Sequence, residues 1–244
     1  MKFAYLQKTS LQDFPDTLSC IIFLGGCNFR CPACYNALIL DLKESLIEEQ
    51  EILEFLDKRK GKLDGVVITG GEPLINLDLP EFLEKIQEKG YKIKIDTNGS
   101  NPGLLKHVIE HGLVDYIAMD IKASKEDYYK VAGVKTNLDD IEESMKILKE
   151  SRELGKIDYE FRITLVPVIH GARIAEMDDK TISLIAEWIS SIDFESKVYI
   201  QEFVPVEGRL VNPKLEFQKK TSEERLKQVK EIVRKKLNNV YIRA

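Results

Sequence analysis

Ser19-Cys20-Ile21-Ile22-Phe23-Leu24-Gly25-Gly26-Cys27-Asn28-Phe29-Arg30-Cys31-Pro32-Ala33-Cys34 reads as a strand that runs straight into a cysteine-rich loop. The apolar content of 18–24 is nearly continuous, as expected for a parallel strand covered on both faces. Runs of the same kind recur at 65–69, 91–96, 116–120, 160–166 and 198–203, for example Val66-Val67-Ile68 and Ile163-Thr164-Leu165-Val166. Between them, 45–59, 80–89, 102–112, 138–154 and 178–192 carry apolar residues at three- and four-residue steps, such as Ile52, Leu53, Phe55 and Leu56, the period of an amphipathic helix. Strands alternating with helices call for βα units with right-handed crossovers, hence a parallel sheet or barrel. Six strands rather than eight predict an α/β fold, an incomplete TIM-type (β/α)6 barrel of parallel strands with its core at about 16–205. A C-terminal helical tail at 220–244 follows, with a charged helix at 221–238 and a short strand at Val240-Tyr241-Ile242. No long linker interrupts the chain, so 1–244 is expected to be one domain.

The composition narrows the function classes. Of 244 residues, 43% are hydrophobic and 32% charged, which is a globular balance. A formal net charge of −5 argues against a strong nucleic-acid binder. No apolar run approaches the roughly 20 residues of a membrane helix. Met1-Lys2-Phe3-Ala4-Tyr5 does not open a signal peptide's long apolar stretch, so a cytoplasmic location with no membrane partner is expected. In that compartment four cysteines, three of them clustered, suggest a metal or redox site rather than disulfides.

The spacing C-x3-C-x2-C on a Gly/Pro-containing loop, at the C-terminal end of the first strong strand, is where an α/β barrel places its chemistry. Three close thiolates can wrap one face of a cuboidal cluster, and soft sulfur ligands suit iron–sulfur clusters and zinc alike. Structural zinc would need a fourth Cys or His at matching spacing. Cys20 lies inside the apolar run and reads as a buried thiol. His107 and His111, at i and i+4, lack an accompanying Glu motif and read as helix-surface residues. Three cysteines leave one iron of a cluster without a protein ligand.

At these residues the chain resembles the radical SAM superfamily. The resemblance implies a [4Fe–4S] cluster on Cys27, Cys31 and Cys34, whose open iron is chelated by the amino and carboxylate groups of S-adenosylmethionine (SAM). It further implies reductive cleavage of the sulfonium to methionine and a 5′-deoxyadenosyl radical. One departure is visible: many members have an aromatic before the third cysteine, whereas here Ala33 precedes Cys34 and Tyr35 follows it.

Six further segments extend the likeness. Gly70-Gly71-Glu72-Pro73, by itself a turn, resembles the superfamily segment that holds the SAM amino group; its glycines permit close backbone approach and its carboxylate can accept from an ammonium. Asp96-Thr97-Asn98-Gly99, by itself a cap-and-turn sequence, resembles the D-T-N-G segment of glycyl-radical-enzyme activases, including the pyruvate formate-lyase activating enzyme. That implies a place near the SAM methionine and ribose, and an Asp that can help bind a monovalent cation. Asp120-Ile121-Lys122, by itself a surface ion pair, is similar to their D-[LI]-K, with the lysine reaching the SAM carboxylate or ribose region. The stretches 161–167, with Arg162 and Val166, and 201–205, with Gln201, resemble the activating proteins of anaerobic ribonucleoside-triphosphate reductase, as does 6–15. The order of all segments agrees.

The resemblance thus implies cofactor contacts from Gly70, Gly71, Glu72, Pro73, Asp96, Thr97, Asn98, Asp120, Lys122, Arg162, Val166 and Gln201. No conventional acid–base residue is demanded beyond the cluster and SAM. The implied partners are a glycyl radical enzyme, anaerobic ribonucleotide reductase in the branch resembled, and a low-potential electron donor. With only Cys20 outside the triplet, an auxiliary Cys-rich cluster is not available. Two alternatives stand beside this reading: a radical SAM enzyme acting on a small molecule such as a pterin, like the 7-carboxy-7-deazaguanine synthases, and a structural zinc or redox protein.

Overall fold

The computed structural model describes residues 1–243. In chain order it contains β1 (Phe3–Ser10), β2 (Ser19–Leu24), α1 (Glu49–Arg59), β3 (Gly65–Gly70), α2 (Leu79–Gln87), β4 (Lys92–Thr97), α3 (Pro102–Glu110) and β5 (Tyr116–Asp120). There follow α4 (Tyr128–Ala132), α5 (Leu138–Glu153), β6 (Asp158–Thr164), β7 (Val168–His170), β8 (Arg173–Ala175), α6 (Asp179–Asp193), β9 (Lys197–Gln201), α7 (Glu223–Arg234) and β10 (Asn239–Arg243). One eight-stranded sheet has the linear order β1-β2-β3-β4-β5-β6-β9-β10, and β7 and β8 form a separate hairpin. Every pair from β2 to β10 is parallel, and β1 joins β2 antiparallel. The sheet is an incomplete barrel with two free edges.

All six predicted strands are present. The short strand expected at 240–242 is β10, a seventh parallel strand, so the barrel sheet runs past 205. It also begins before 16, because β1 was not among the predicted strands. The reason is its position: an edge strand has one neighbour, and Tyr5 through Thr9 are only partly buried or exposed, so the apolar run that marks the central strands is missing.

Local chemistry sets the helix starts. Asn101 caps α3 by accepting from the Leu104 N–H at 3.1 Å, with Pro102 in the first turn. Asp178 caps α6 through the Thr181 N–H at 2.8 Å, and Ser222 caps α7 through Arg225 at 3.1 Å. The predicted 45–59 helix begins only at Glu49.

Strand period divides the interior into two regions. Residues such as Ile22, Val66, Ile68, Ile93, Ile95, Ile117 and Phe161 face outward into the large core beneath the helices. Full burial of each such side chain contributes about 1.5–3 kcal/mol. The opposite face lines the barrel. Its lower layer is a small apolar plug of Phe14, Ile21, Val67 and Tyr116. Above the plug, the same faces of β4 and β6 carry Lys94, Asp96, Glu160 and Arg162, an ionic layer rather than an apolar one. Among the described residues no helix is long and apolar enough to cross a membrane.

Candidate active site

A cavity of about 370 Å³ opens at the C-terminal ends of the parallel strands. The loop after β2 forms one wall. Its path is fixed by backbone contacts that only glycine allows. The Glu72 N–H donates to the Gly26 carbonyl at 2.9 Å, and a Cβ on Gly71 would lie 1.7 Å from that oxygen. On the other flank the Arg30 N–H donates to Ala132 at 2.9 Å, where α4 ends in Gly133 with φ +72°. A Cβ there would stand 1.9 Å from the Arg30 carbonyl. Within the loop, Cys34 N–H donates to the Cys31 carbonyl at 3.0 Å, making the turn that presents the last two thiols.

Thiol acceptors are already oriented by backbone donors. Phe29 N–H reaches Cys27 Sγ at 3.3 Å, and Asn36 N–H reaches Cys34 Sγ at 3.4 Å. Asn36 Nδ2 also donates to the Gly70 carbonyl at 2.9 Å, tying this loop to the one after β3. The segment after β9 closes on the loop from above. Asn212 N–H donates to the Pro32 carbonyl at 2.9 Å, Val211 N–H to Cys34 at 3.3 Å, and Val204 N–H to Tyr35 Oη at 2.9 Å.

Burial pushes the Cys27 thiol up to about 12, with Glu72 and Cys31 adding to it. Burial raises Cys31 as well. Metal binding at this loop must therefore displace protons. The donor set fits an iron–sulfur cluster. Three thiols share one cavity, while Cys20 is fully buried inside β2, and His107 and His111 are exposed on α3. Among the described residues no group of three or more His, Cys, Asp and Glu is placed to hold a single metal ion, and no fourth Cys or His joins the triplet in the cavity.

The facing wall is ionic. Glu72 is 2% exposed; Oε1 accepts from the Leu74 N–H at 3.1 Å and the Thr97 hydroxyl at 2.6 Å, and Oε2 from the Asn98 N–H at 2.7 Å. Burial pushes this carboxyl up to about 7 against those three donors. The carboxylate expected to meet an ammonium is thus largely engaged by its own chain. Asp96 pairs with Lys94 and, at 3.3 Å, with Arg162 Nη1; although its burial works the other way, these two cations hold its carboxyl below the ordinary range. Lys122 Nζ donates to Asp120 at 2.7 Å. Burial disfavours its charge, but Asp120 and the nearby Cys31 outweigh that and raise its pKa.

Fourteen of the fifteen residues named from the sequence line this cavity: Cys27, Cys31, Cys34, Gly70, Gly71, Glu72, Asp96, Thr97, Asn98, Asp120, Lys122, Arg162, Val166 and Gln201. Pro73 does not. It is buried at the first position of a 3-10 turn, where its fixed φ suits the helix start. Residues not foreseen are Tyr35 and Asn36, which brace the cysteine loop, and Lys94 and Glu160, which lie beneath the floor. For Lys94 and Glu160 the signal was a charged residue two positions before another charged residue in an apolar strand.

Residues 21–180 match the Radical SAM superfamily, a stretch that holds the cysteine loop and the loops after β3, β4 and β5. The chain belongs to the radical SAM superfamily. A Methanocaldococcus jannaschii protein provisionally named a glycyl-radical enzyme activating enzyme is 34% identical to this radical SAM protein, over 95% of this chain and 91% of its own length. A second one of that name from the same organism is 29% identical over 88% of this chain and 76% of its own. Among solved structures, Streptococcus suis SuiB bound to the precursor peptide SuiA superposes with a TM-score of 0.67 at 16% identity, over 92% of this chain. The radical SAM protein spans 48% of the length of SuiB, and the likeness concerns the fold alone.

Proposed function

We propose that this protein holds a [4Fe–4S] cluster on Cys27, Cys31 and Cys34, binds SAM in the adjoining cavity, and generates a glycyl radical on a partner enzyme. The observation that carries the reading is the meeting of three thiols and an ionic wall (Glu72, Asp96, Asp120, Lys122, Arg162) on one cavity at the strand ends. With an electron from a low-potential donor, cluster and SAM would supply a carbon radical able to take hydrogen from a glycine Cα. The protein's own residues do the rest. Cys27, Cys31 and Cys34 would hold the cluster, and Gly70 and Gly71 would let the backbone approach the cofactor closely. Lys122 and Arg162 would offer donors to its carboxylate, and Thr97, Asn98, Val166 and Gln201, which line the cavity, would meet its remaining surface. No side chain is required to move a proton.

The partner class rests on the two relatives whose likeness covers 95% and 88% of this chain. Matches to 7-carboxy-7-deazaguanine synthases run over only about a third of this chain, 34% for that of Aquifex aeolicus, so the pterin reading is the weaker one. The segments 6–15, 161–167 and 201–205 favour an anaerobic ribonucleoside-triphosphate reductase as that partner. A low-potential carrier is the electron source, and the cytoplasm the site of action. The whole chain is read as one domain. The test is anaerobic electron paramagnetic resonance of the reconstituted protein with SAM, a reductant and the candidate reductase. A glycyl doublet on the reductase is expected; SAM cleavage without any doublet sinks the reading.

A further inference from the structure

Strand β4 carries Lys94 and Asp96 two positions apart, so both side chains point to the same side, into the barrel. Lys94 is fully buried, and among the described residues its hydrogen-bond partner is Asp96 Oδ1. Asp96 Oδ2 faces Arg162 Nη1 at 3.3 Å. Arg162 in turn donates from Nε to Glu160 Oε1 at 2.6 Å, and Glu160 also receives Tyr116 Oη at 2.9 Å and Arg243 Nη1 at 3.0 Å. Among the described residues, Arg162 Nη2, buried at the cavity wall, has no hydrogen-bond partner.

The likeness to D-T-N-G implied that Asp96 helps bind a monovalent cation. The geometry does not fit that role. Each carboxylate oxygen already meets a protein cation, and an added metal ion would face two positive charges at close range in a poorly screened site.

We propose that Lys94 is a built-in counter-cation: its ammonium fills the place beside Asp96 that a monovalent metal ion would take, and through Asp96 it positions Arg162. A tethered charge has a high effective concentration at its site and needs no ion from solution. Lys94 is a positioning residue, since Asp96 and Arg162 stand between it and the cavity. The layer beneath the cavity is then complete without an external ion, and Arg162 keeps Nη2 available for an acidic group of the ligand.

The inference rests on the cavity being the SAM site only for its binding readout. The experiment compares cluster-loaded wild type with Lys94→Met and Lys94→Gln in sodium, potassium and choline chloride at equal ionic strength. SAM affinity and melting temperature are measured in each salt. Wild type is expected to change by less than about twofold in affinity between salts, since screening is the same at equal ionic strength and no small cation is bound. In choline, Lys94→Met is expected to bind SAM about tenfold or more weakly, because one partner of a buried ion pair is gone. Sodium, potassium or methylammonium is expected to restore binding saturably and to raise the variant's melting temperature, an effect a purely structural lysine would not give. A saturable response of wild type to sodium or potassium overturns the proposal. So does a variant that binds SAM normally in choline or is not rescued by any small cation. Should neither variant fold, the wild-type series still decides: a flat response supports the proposal and a saturable one overturns it. Melting needs neither SAM nor a partner enzyme, so failure of glycyl-radical formation alongside a flat salt response would count against the functional reading alone.

Discussion

The Glu72 carboxylate accepts the Asn98 backbone N–H at 2.7 Å and so joins the loop after β3 to the loop after β4. With Leu74 and Thr97 also donating, one buried side chain sets the spacing of two loops that line the cavity.

Because burial lifts this carboxyl from its ordinary 4.5 to about 7, the folded protein holds the Glu72 proton more tightly than the unfolded chain does. That contribution is fully present below pH 4.5 and is lost as pH rises through about 7. Its upper size is about 3 kcal/mol, taking roughly 1.4 kcal/mol per unit. Urea unfolding of wild type and Glu72→Gln across this range is expected to show a slope in wild type that the variant lacks. Parallel curves would contradict it. At the alkaline end the variant is expected to lose about 1–3 kcal/mol, because its amide N–H faces another donor.

Gly133→Ala is expected to empty the cysteine loop of its cluster. The added Cβ would stand 1.9 Å from the Arg30 carbonyl and displace the segment between Cys27 and Cys31. Gly155→Ala is the comparison: φ is similarly positive at +68° but nothing lies within 4 Å, so only about 1–2 kcal/mol of backbone strain is expected. Iron and sulfide per chain after anaerobic reconstitution separate the two, and equal loading of both variants would refute the contact's importance.

Cys20 and the triplet are expected to behave oppositely. Cys20 is sealed in β2, so Cys20→Ala costs about 1–3 kcal/mol of stability and leaves iron content unchanged. Alanine at Cys27, Cys31 or Cys34 is expected to abolish the intact cluster with little effect on the secondary structure seen by circular dichroism. Full loading of any triplet variant would remove that residue from the ligand set.

Tyr35→Phe removes the acceptor of the Val204 N–H while keeping the ring stacked on Phe203. A loss of about 1 kcal/mol is expected. Amide exchange at Val204 and oxidative loss of the cluster in air are expected to quicken, since the segment after β9 covers the cysteine loop. Unchanged exchange at Val204 would show that this hydrogen bond does not hold the cover.

The sequence by itself determined the six central strands, the helices between them and the set of loops that meet at the strand ends. It could do so because parallel strands buried on both faces write continuous apolar runs, and because loop motifs keep their order along the chain. Strand β1, an edge with one neighbour, wrote no such run and was not legible. What only the tertiary structure decided is which charges meet. Lys94, Asp96, Glu160, Arg162 and Arg243 come from three strands up to 149 positions apart, and one of the two faces of each strand brings them together inside the barrel. The same holds for Glu72, whose buried carboxylate found three donors across two loops before any ligand. Pairing of charges depends on through-space distance in a low-dielectric interior, and no linear pattern encodes it.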